Sequence, residues 1–289
     1  MLKKVLKYDI RAISKLWWIG AVVSLAAAVV GSLLIRLFVH VVDEGTESIL
    51  LTLASFLGFF VAVFCIFAVV LSFVFTVILV FVRFYRHFFT DEGYLTFTLP
   101  VKRSTLFLSK TVNAVIWLFA HLVVIAVSLI LLALLFYSPE ASGGFFNVAV
   151  LKGIGAWLVE TWAGVGAWLI VYLFEGLLAI LAYLLFFVSL IHFCITFGAV
   201  LAKKARLILS IGLYYAFSSA LGVLAQFAFL FFGSLASNGM MILMENASIN
   251  RACAVYALLA LAVIAALAAI AVTFYAITQH MLDRKLNLA

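Results

Sequence analysis

The side chains that most often perform enzymatic chemistry are scattered along this sequence and form no catalytic pattern. The five histidines are His40, His87, His121, His192 and His280, and this spacing is not typical of a zinc site. The sequence contains neither a G-x-x-x-x-G-K-S/T phosphate loop nor a G-x-G-x-x-G dinucleotide motif. We therefore expect that this chain is not itself an enzyme and that it holds no metal and no cofactor.

Glu175 is the one carboxylate in the middle of a predicted membrane span. A charged side chain there costs about 2.5–3.5 kcal/mol on insertion scales, so it is a candidate functional residue. The alternative is a protonated side chain that hydrogen-bonds a neighbouring helix. His121 and Gln226 are the candidate partners from other apolar segments, although a lone histidine such as His121 is more typical of helix packing. Both interpretations of Glu175 stay open.

The three cysteines, Cys65, Cys194 and Cys253, also lie inside apolar segments. None of them has a second ligand at the spacing of a metal site. The sequence therefore predicts that they are small packing residues.

The composition indicates which elements must position these residues. Of 289 residues, 69% are apolar and 10% are charged, whereas soluble domains have roughly 45–50% and about 25%. Most of this surface must face lipid. Helices satisfy their own backbone groups in lipid, and the apolar runs are too long and continuous for the alternating strands of a membrane barrel. The predicted fold is an all-α integral membrane protein with a single domain, 1–289.

Six transmembrane helices are predicted, at 16–40, 49–82, 111–136, 168–198, 207–236 and 252–278. The second span is about 51 Å long as a helix, against a hydrocarbon core of about 30 Å, so it must tilt or project beyond the membrane. Segment 145–167 is apolar but carries Lys152, Glu160 and several glycines. It is predicted to be an interfacial or re-entrant segment on the outer face.

The distribution of Lys and Arg predicts the orientation. If the N-terminus is inside the cell, all of these residues except Arg36, Lys152 and Arg251 lie on the cytoplasmic side. Both termini are then cytoplasmic. Residues 1–15 have a basic face and an apolar face, which is typical of an interfacial elbow helix that turns into the first span. The apolar run at 16–42 exceeds the 7–15 residues of a signal-peptide core, so we expect it to be retained.

The connection predicted at 83–110 is the most informative polar segment. Gly93 is a predicted helix stop, and Pro100 prevents helix formation until Ser104 caps the next helix. Residues 94–99 alternate as a short extended run. Apolar residues such as Phe97 and Leu99, rimmed by charge, are typical of a protein contact; the alternative is that they pack on the chain's own helix ends.

This connection carries a resemblance to a known family. The run Asp91-Glu92-Gly93-Tyr94-Leu95-Thr96-Phe97-Thr98-Leu99-Pro100, followed by Leu108-Ser109-Lys110, resembles the first cytoplasmic loop of ABC-2-type permease subunits of Gram-positive bacteria. The basic N-terminal segment at 2–9 is similar to the elbow helix of that family, and the C-terminal segment at 284–288 resembles its C-terminal signature. The family often has a Gly-Gln pair before the basic turn; this chain has Phe197-Gly198-Ala199-Val200, and no role is carried over to these residues.

The resemblance implies the permease subunit of an ATP-binding-cassette exporter in the bacterial cytoplasmic membrane. Such a multi-pass subunit pairs with a second permease subunit, identical or different, and moves an amphipathic or hydrophobic substrate such as a peptide, lipid or drug. A separate cytoplasmic ATPase binds the ATP and Mg. Besides these subunits, membrane lipids are the expected partners, and nucleic acid is not. The implied ATPase-docking residues are Asp91, Glu92, Gly93, Tyr94, Leu95, Thr96, Phe97, Thr98, Leu99, Pro100, Lys203, Lys204 and Arg206.

Two other functions remain alternatives. One is an ion-coupled secondary carrier that uses Glu175 as its coupling site. Such carriers usually have inverted repeats and interrupted spans, and the sequence displays neither. The other is a membrane immunity or assembly protein that transports nothing.

Overall fold

The computed structural model describes residues 2–43, 48–90, 92–93, 98, 100–135, 148–202, 205–246 and 249–284. These residues form seven α-helices, and no strand occurs among them. In chain order the helices are α1 (Leu2–Asp43), α2 (Ile49–Phe89), α3 (Arg103–Leu135), α4 (Val148–Val165), α5 (Trp168–Leu201), α6 (Arg206–Asn246) and α7 (Ile249–Arg284).

All helices except α4 contain a stretch that is long and apolar enough to cross a membrane, which gives six candidate spans among the described residues. Their outward surfaces are strongly apolar. On α2, for example, Leu57 is 68% exposed and Phe64 is 72% exposed. Side chains of this kind are stable at a surface only if that surface faces lipid. The chain is therefore a multi-pass membrane protein, as the sequence predicted.

Helix α1 differs from the prediction because it is continuous. The sequence predicts an interfacial helix at 1–15 and then a turn, but one helix runs from Leu2 to Asp43. No proline or glycine interrupts residues 2–19, and the Ser14 hydroxyl donates to the Arg11 carbonyl at 2.9 Å within the helix. A helix of this length spans about 63 Å, so it extends well beyond a hydrocarbon core of about 30 Å.

The connection between α2 and α3 is shorter than predicted. Helix α2 continues to Phe89 and α3 begins at Arg103, so only residues 90–102 lie between them instead of 83–110. The amides of Thr105 and Leu106 donate to the Lys102 carbonyl at 2.9 and 3.2 Å. The new helix therefore begins one residue before the predicted cap, Ser104.

Gly93 is not the helix stop that the sequence predicted, because α2 ends four residues earlier. The Thr90 hydroxyl donates to the Arg86 carbonyl at 2.6 Å, and the Gly93 amide donates to the Thr90 carbonyl at 2.7 Å. A Cβ atom at Gly93 would lie 3.1 Å from the Phe88 carbonyl oxygen. The glycine is thus suited to close approach of the backbone to the end of α2.

The second half of the chain contains longer helices than predicted. Helix α6 continues to Asn246 and α7 begins at Ile249, so most of the polar break expected at 237–251 is helical. Within the outer segment predicted at 145–167, α4 is a helix of 18 residues. It ends where Gly166 adopts φ +57 and donates its amide to the Trp162 carbonyl at 2.8 Å.

Packing divides the chain into two compact units. The first unit contains Met1–Leu6, Phe81–Val115 and Thr161–Ala289, and the second contains Lys7–Val80 and Ile116–Glu160. In the first unit, α5 packs against both α6 and α7, and Leu190, Phe193, Cys194 and Met281 form a buried cluster. In the second unit, α1 approaches α2 closely, since a Cβ atom at Gly31 would lie 3.0 Å from the Cβ of Cys65.

Candidate coupling end and intramembrane polar residues

The ends of four helices are linked by two arginines in the first unit. Arg206, the first residue of α6, donates from Nη1 to the carbonyl of Phe89, the last residue of α2, at 3.4 Å. Arg103, the first residue of α3, donates from Nη1 to the Leu282 carbonyl in the last turn of α7 at 3.0 Å. We call this group (Phe89, Arg103, Arg206 and Leu282) the basic end of the first unit.

Elementary helix chemistry explains why arginine occupies these positions. The last carbonyls of a helix have no partner inside the helix, and the C-terminal end carries partial negative charge. A guanidinium donates a charge-assisted hydrogen bond to such a carbonyl, and its positive charge complements the partial negative charge of the helix end. At the basic end, Arg206 bonds the C-terminal carbonyl of α2 in this way, and Arg103 bonds a carbonyl in the last turn of α7. Both helices that flank residues 90–102 are therefore bonded to a further helix.

Five of the predicted docking residues are described by the structure. Glu92, Thr98 and Pro100 are exposed, Gly93 is buried and Arg206 is half-buried. Glu92 Oε2 lies 3.8 Å from Nε2 of His87 in the last turn of α2. The other predicted docking residues lie outside the described part of the chain; they are Asp91, Tyr94, Leu95, Thr96, Phe97, Leu99, Lys203 and Lys204.

A close crossing of α5 and α6 lies next to the basic end, and it was not predicted from the sequence. A Cβ atom at Gly198 would lie 2.9 Å from the backbone nitrogen of Ser210 and 3.0 Å from its Cα atom. Ser210 in turn donates its hydroxyl to the carbonyl of Arg206 at 2.7 Å. The available signal was a glycine inside an apolar helix, which is typical of close helix contacts. The sequence does not reveal which helix it contacts.

Glu175 is buried in α5, where it is only 5% exposed. Its Oε1 atom has no hydrogen-bond partner among the described residues. Tyr172, one turn earlier, does not use its hydroxyl on this carboxyl group but donates it to the Cys253 carbonyl of α7 at 3.1 Å. The Oε1 atom of Glu175 is therefore a buried carboxyl oxygen without a described hydrogen-bond partner, although buried polar atoms normally have one.

The two partners considered for Glu175 are engaged elsewhere or exposed. His121 is fully buried in the second unit, where its Nδ1 lies 2.9 Å from the Thr76 hydroxyl and its Nε2 lies 3.1 Å from the Ser72 hydroxyl. Both of its ring nitrogens thus lie within hydrogen-bond distance of hydroxyls on one face of α2, which is the arrangement of a packing residue. Gln226 lies exposed on α6.

No metal-binding cluster occurs in the described part of the chain, since no three residues of the His, Cys, Asp and Glu types come together there. Cys194 and Cys253 are buried and Cys65 is half-buried, so the cysteines lie within the helix packing.

Comparison with known proteins gives no relative for this chain. No protein family model matches it. No curated protein and no solved structure matches it either. The functional assignment therefore depends on the residues and their geometry.

Proposed function

We propose that this chain is the permease subunit of an ATP-binding-cassette exporter in the bacterial cytoplasmic membrane. It moves an amphipathic or hydrophobic substrate, such as a peptide, lipid or drug, and a separate cytoplasmic ATPase drives it. A second permease subunit, identical or different, completes the membrane part. The observation that carries the proposal is the pair of hydrogen bonds from Arg206 to Phe89 and from Arg103 to Leu282 at the basic end.

These bonds support a mechanical role for residues 90–102. The segment continues directly into α2 and α3, and the facing ends of these helices are bonded to α6 and α7. A force applied to the segment is thereby passed to four of the six candidate spans. The loop resemblance at 91–100 and the lack of a phosphate loop in this chain fit an energy source on another subunit.

The charge distribution supports a cytoplasmic position for this end. Arg86, Arg103, Arg206 and Arg284 lie in the terminal turns or at the ends of the helices that meet there, and Arg83 lies about one turn further from the end of α2. Lys and Arg are concentrated on the cytoplasmic side of membrane proteins, which is where an ATPase with access to ATP must dock.

Docking is tested by placing a charge in the apolar part of the connection. The chain is purified from its native host in mild detergent, and the co-purified ATPase is quantified. Phe97→Asp and Leu99→Asp should each remove most of the ATPase, because a desolvated carboxylate opposes burial in a protein interface. The matched control is Phe146→Asp in the predicted outer segment, which should retain the ATPase. Wild-type recovery of the ATPase with both loop variants would overturn the proposal.

Coupling is tested separately at Arg103, which lies outside the predicted docking set. Arg103→Met keeps most of the side-chain volume but removes the donor to the Leu282 carbonyl. A hydrogen bond from a charged group is worth about 1.5–3 kcal/mol, so transport per ATP hydrolysed should fall by about tenfold or more. The ATPase should still co-purify. Arg251→Met, at the exposed start of α7, is the control with expected wild-type coupling.

One observation favours a second candidate function. The buried Glu175 carboxyl group, whose Oε1 has no described partner, is the type of residue that binds a proton or cation in ion-coupled carriers. If the chain purifies without an ATPase and transports in vesicles under an ion gradient alone, the carrier is correct and the exporter subunit is not.

A further inference from the structure

Helix α5 carries a buried polar face in the first unit that none of the functions above uses. Ser189, His192 and Thr196 are each 0% exposed. Their spacing of three and four residues places them on one face of the helix, and the face extends over about 10 Å along its axis. We call these three residues the α5 polar face.

His192 is held in a fixed orientation by aromatic rings and one hydroxyl. The Phe84 ring is stacked on the imidazole at a centroid distance of 3.9 Å, and the Phe81 and Phe107 rings lie at 5.7 Å. The Nδ1 atom lies 3.5 Å from the Thr111 hydroxyl oxygen. That hydroxyl also lies 3.1 Å from the Phe107 carbonyl, so we assign its proton to this shorter contact and place the proton of the neutral imidazole on Nδ1.

This assignment leaves His192 Nε2 as an acceptor. The Nε2 atom is buried and has no hydrogen-bond partner among the described residues. A neutral imidazole that carries its proton on Nδ1 presents a lone pair on Nε2. The face therefore offers one strong acceptor that the surrounding rings cannot satisfy.

The hydroxyls of Ser189 and Thr196 differ in their hydrogen bonding from other buried hydroxyls of the first unit. Thr111, Ser210 and Thr278 each donate to the carbonyl four residues earlier, at 3.1, 2.7 and 2.7 Å. This is the usual way in which a helix satisfies a buried hydroxyl in an apolar setting. Ser189 Oγ and Thr196 Oγ1 are just as buried but have neither this bond nor any other partner among the described residues.

We propose that the α5 polar face is a binding site for ordered water within the membrane part of the protein. Buried polar atoms are normally hydrogen-bonded, and buried waters typically bridge two to four such atoms. A water can donate to His192 Nε2 and also exchange hydrogen bonds with a hydroxyl, whereas none of the described protein groups bonds any of these atoms. One imidazole with two hydroxyls is not the donor set that transition metals select. The proposal does not depend on the exporter assignment.

Hydroxyl-radical labelling in water detects this site directly, because radicals form from bound water and modify the nearest reactive side chains. The purified chain is irradiated in detergent, and the labelling of individual residues is measured by mass spectrometry. We expect modification of His192 or Phe84 despite their burial. His121 is the matched control, since it is an equally buried histidine whose two nitrogens both lie within hydrogen-bond distance of protein hydroxyls. His121 should remain unmodified. Equal protection of His192, Phe84 and His121 would overturn the proposal.

Thr196→Val supplies an independent readout because valine has the same shape without the hydroxyl. If Thr196 Oγ1 were unsatisfied, its removal would raise the unfolding temperature. If water is bound there, we expect that Thr196→Val leaves the unfolding temperature unchanged or lowers it. We also expect that the variant reduces the labelling of His192 and Phe84 by at least about half. Thr273→Val, at an exposed position on α7, controls for the substitution itself. A higher unfolding temperature for Thr196→Val alone counts against the water site.

Discussion

Gly198→Val is expected to destabilise the protein by about 3 kcal/mol or more, because overpacking at a rigid contact is among the costlier core substitutions. The first added carbon would lie 2.9 Å from the Ser210 backbone nitrogen and 3.0 Å from its Cα atom. These are backbone atoms, so no rotamer change relieves the contact. The two helices must separate, and the buried cluster of Leu190, Phe193 and Cys194 on α5 then loses part of its packing.

Thermal unfolding in detergent and the yield of monodisperse protein measure this effect. Gly198→Ala should show an intermediate loss, since it adds the Cβ atom without the branches of valine. Gly212→Val is the matched control, because a Cβ atom at Gly212 on α6 meets nothing within 4 Å. We expect its stability to be close to wild type. Similar unfolding temperatures for Gly198→Val and Gly212→Val would refute the close crossing of α5 and α6.

The crossing also has a consequence for function under the exporter proposal. Ser210, the residue that Gly198 contacts, donates to the carbonyl of Arg206, and Arg206 bonds the end of α2. A partly folded Gly198→Ala variant is therefore expected to lose coupling at temperatures where it remains assembled with the ATPase.

The six candidate spans were predictable because an apolar run of about twenty residues has few alternatives to a membrane helix. The helix ends were not. Arg83 and Arg86 lie within α2, although the sequence analysis placed them in a loop. A helix that projects beyond the hydrocarbon core tolerates charged residues as well as a loop does. Composition therefore locates the membrane boundary rather than the end of the helix.

The sequence predicted which residue types belong to the candidate site, but it did not predict which groups each of them contacts. Glu175 and His121 stand out in sequence because polar groups are costly in lipid. Their different environments depend on how each helix is rotated, and apolar residues occur on every side of α5 and α6, so the amphipathic pattern is too weak to report this rotation. The same reason explains why neither Gly198 nor the buried hydroxyls of Ser189 and Thr196, which have no partner among the described residues, could be recognised from the sequence.

Glu175→Gln is expected to lower the transport rate, or the substrate-stimulated rate of ATP hydrolysis, by about tenfold, which corresponds to about 1.4 kcal/mol. Glutamine has nearly the same shape but cannot ionise or bind a cation as a carboxylate does. The buried Oε1 atom has no described partner, so the group is available to bind a proton, a cation or a positively charged part of the substrate. Assembly with the ATPase should be unchanged, because Glu175 lies within α5 and outside the basic end.

The opposite interpretation of Glu175 makes an opposite prediction. If the side chain is a protonated structural donor, glutamine also donates a hydrogen bond, and Glu175→Gln should transport at the wild-type rate while Glu175→Leu unfolds at a lower temperature. Glu160→Gln, at an exposed position on α4, provides the control for loss of a carboxylate elsewhere in the chain. A tenfold loss confined to Glu175→Gln, with normal unfolding and a bound ATPase, assigns the carboxyl group to the transport step. The same loss in a chain that needs only an ion gradient assigns it to carrier coupling instead.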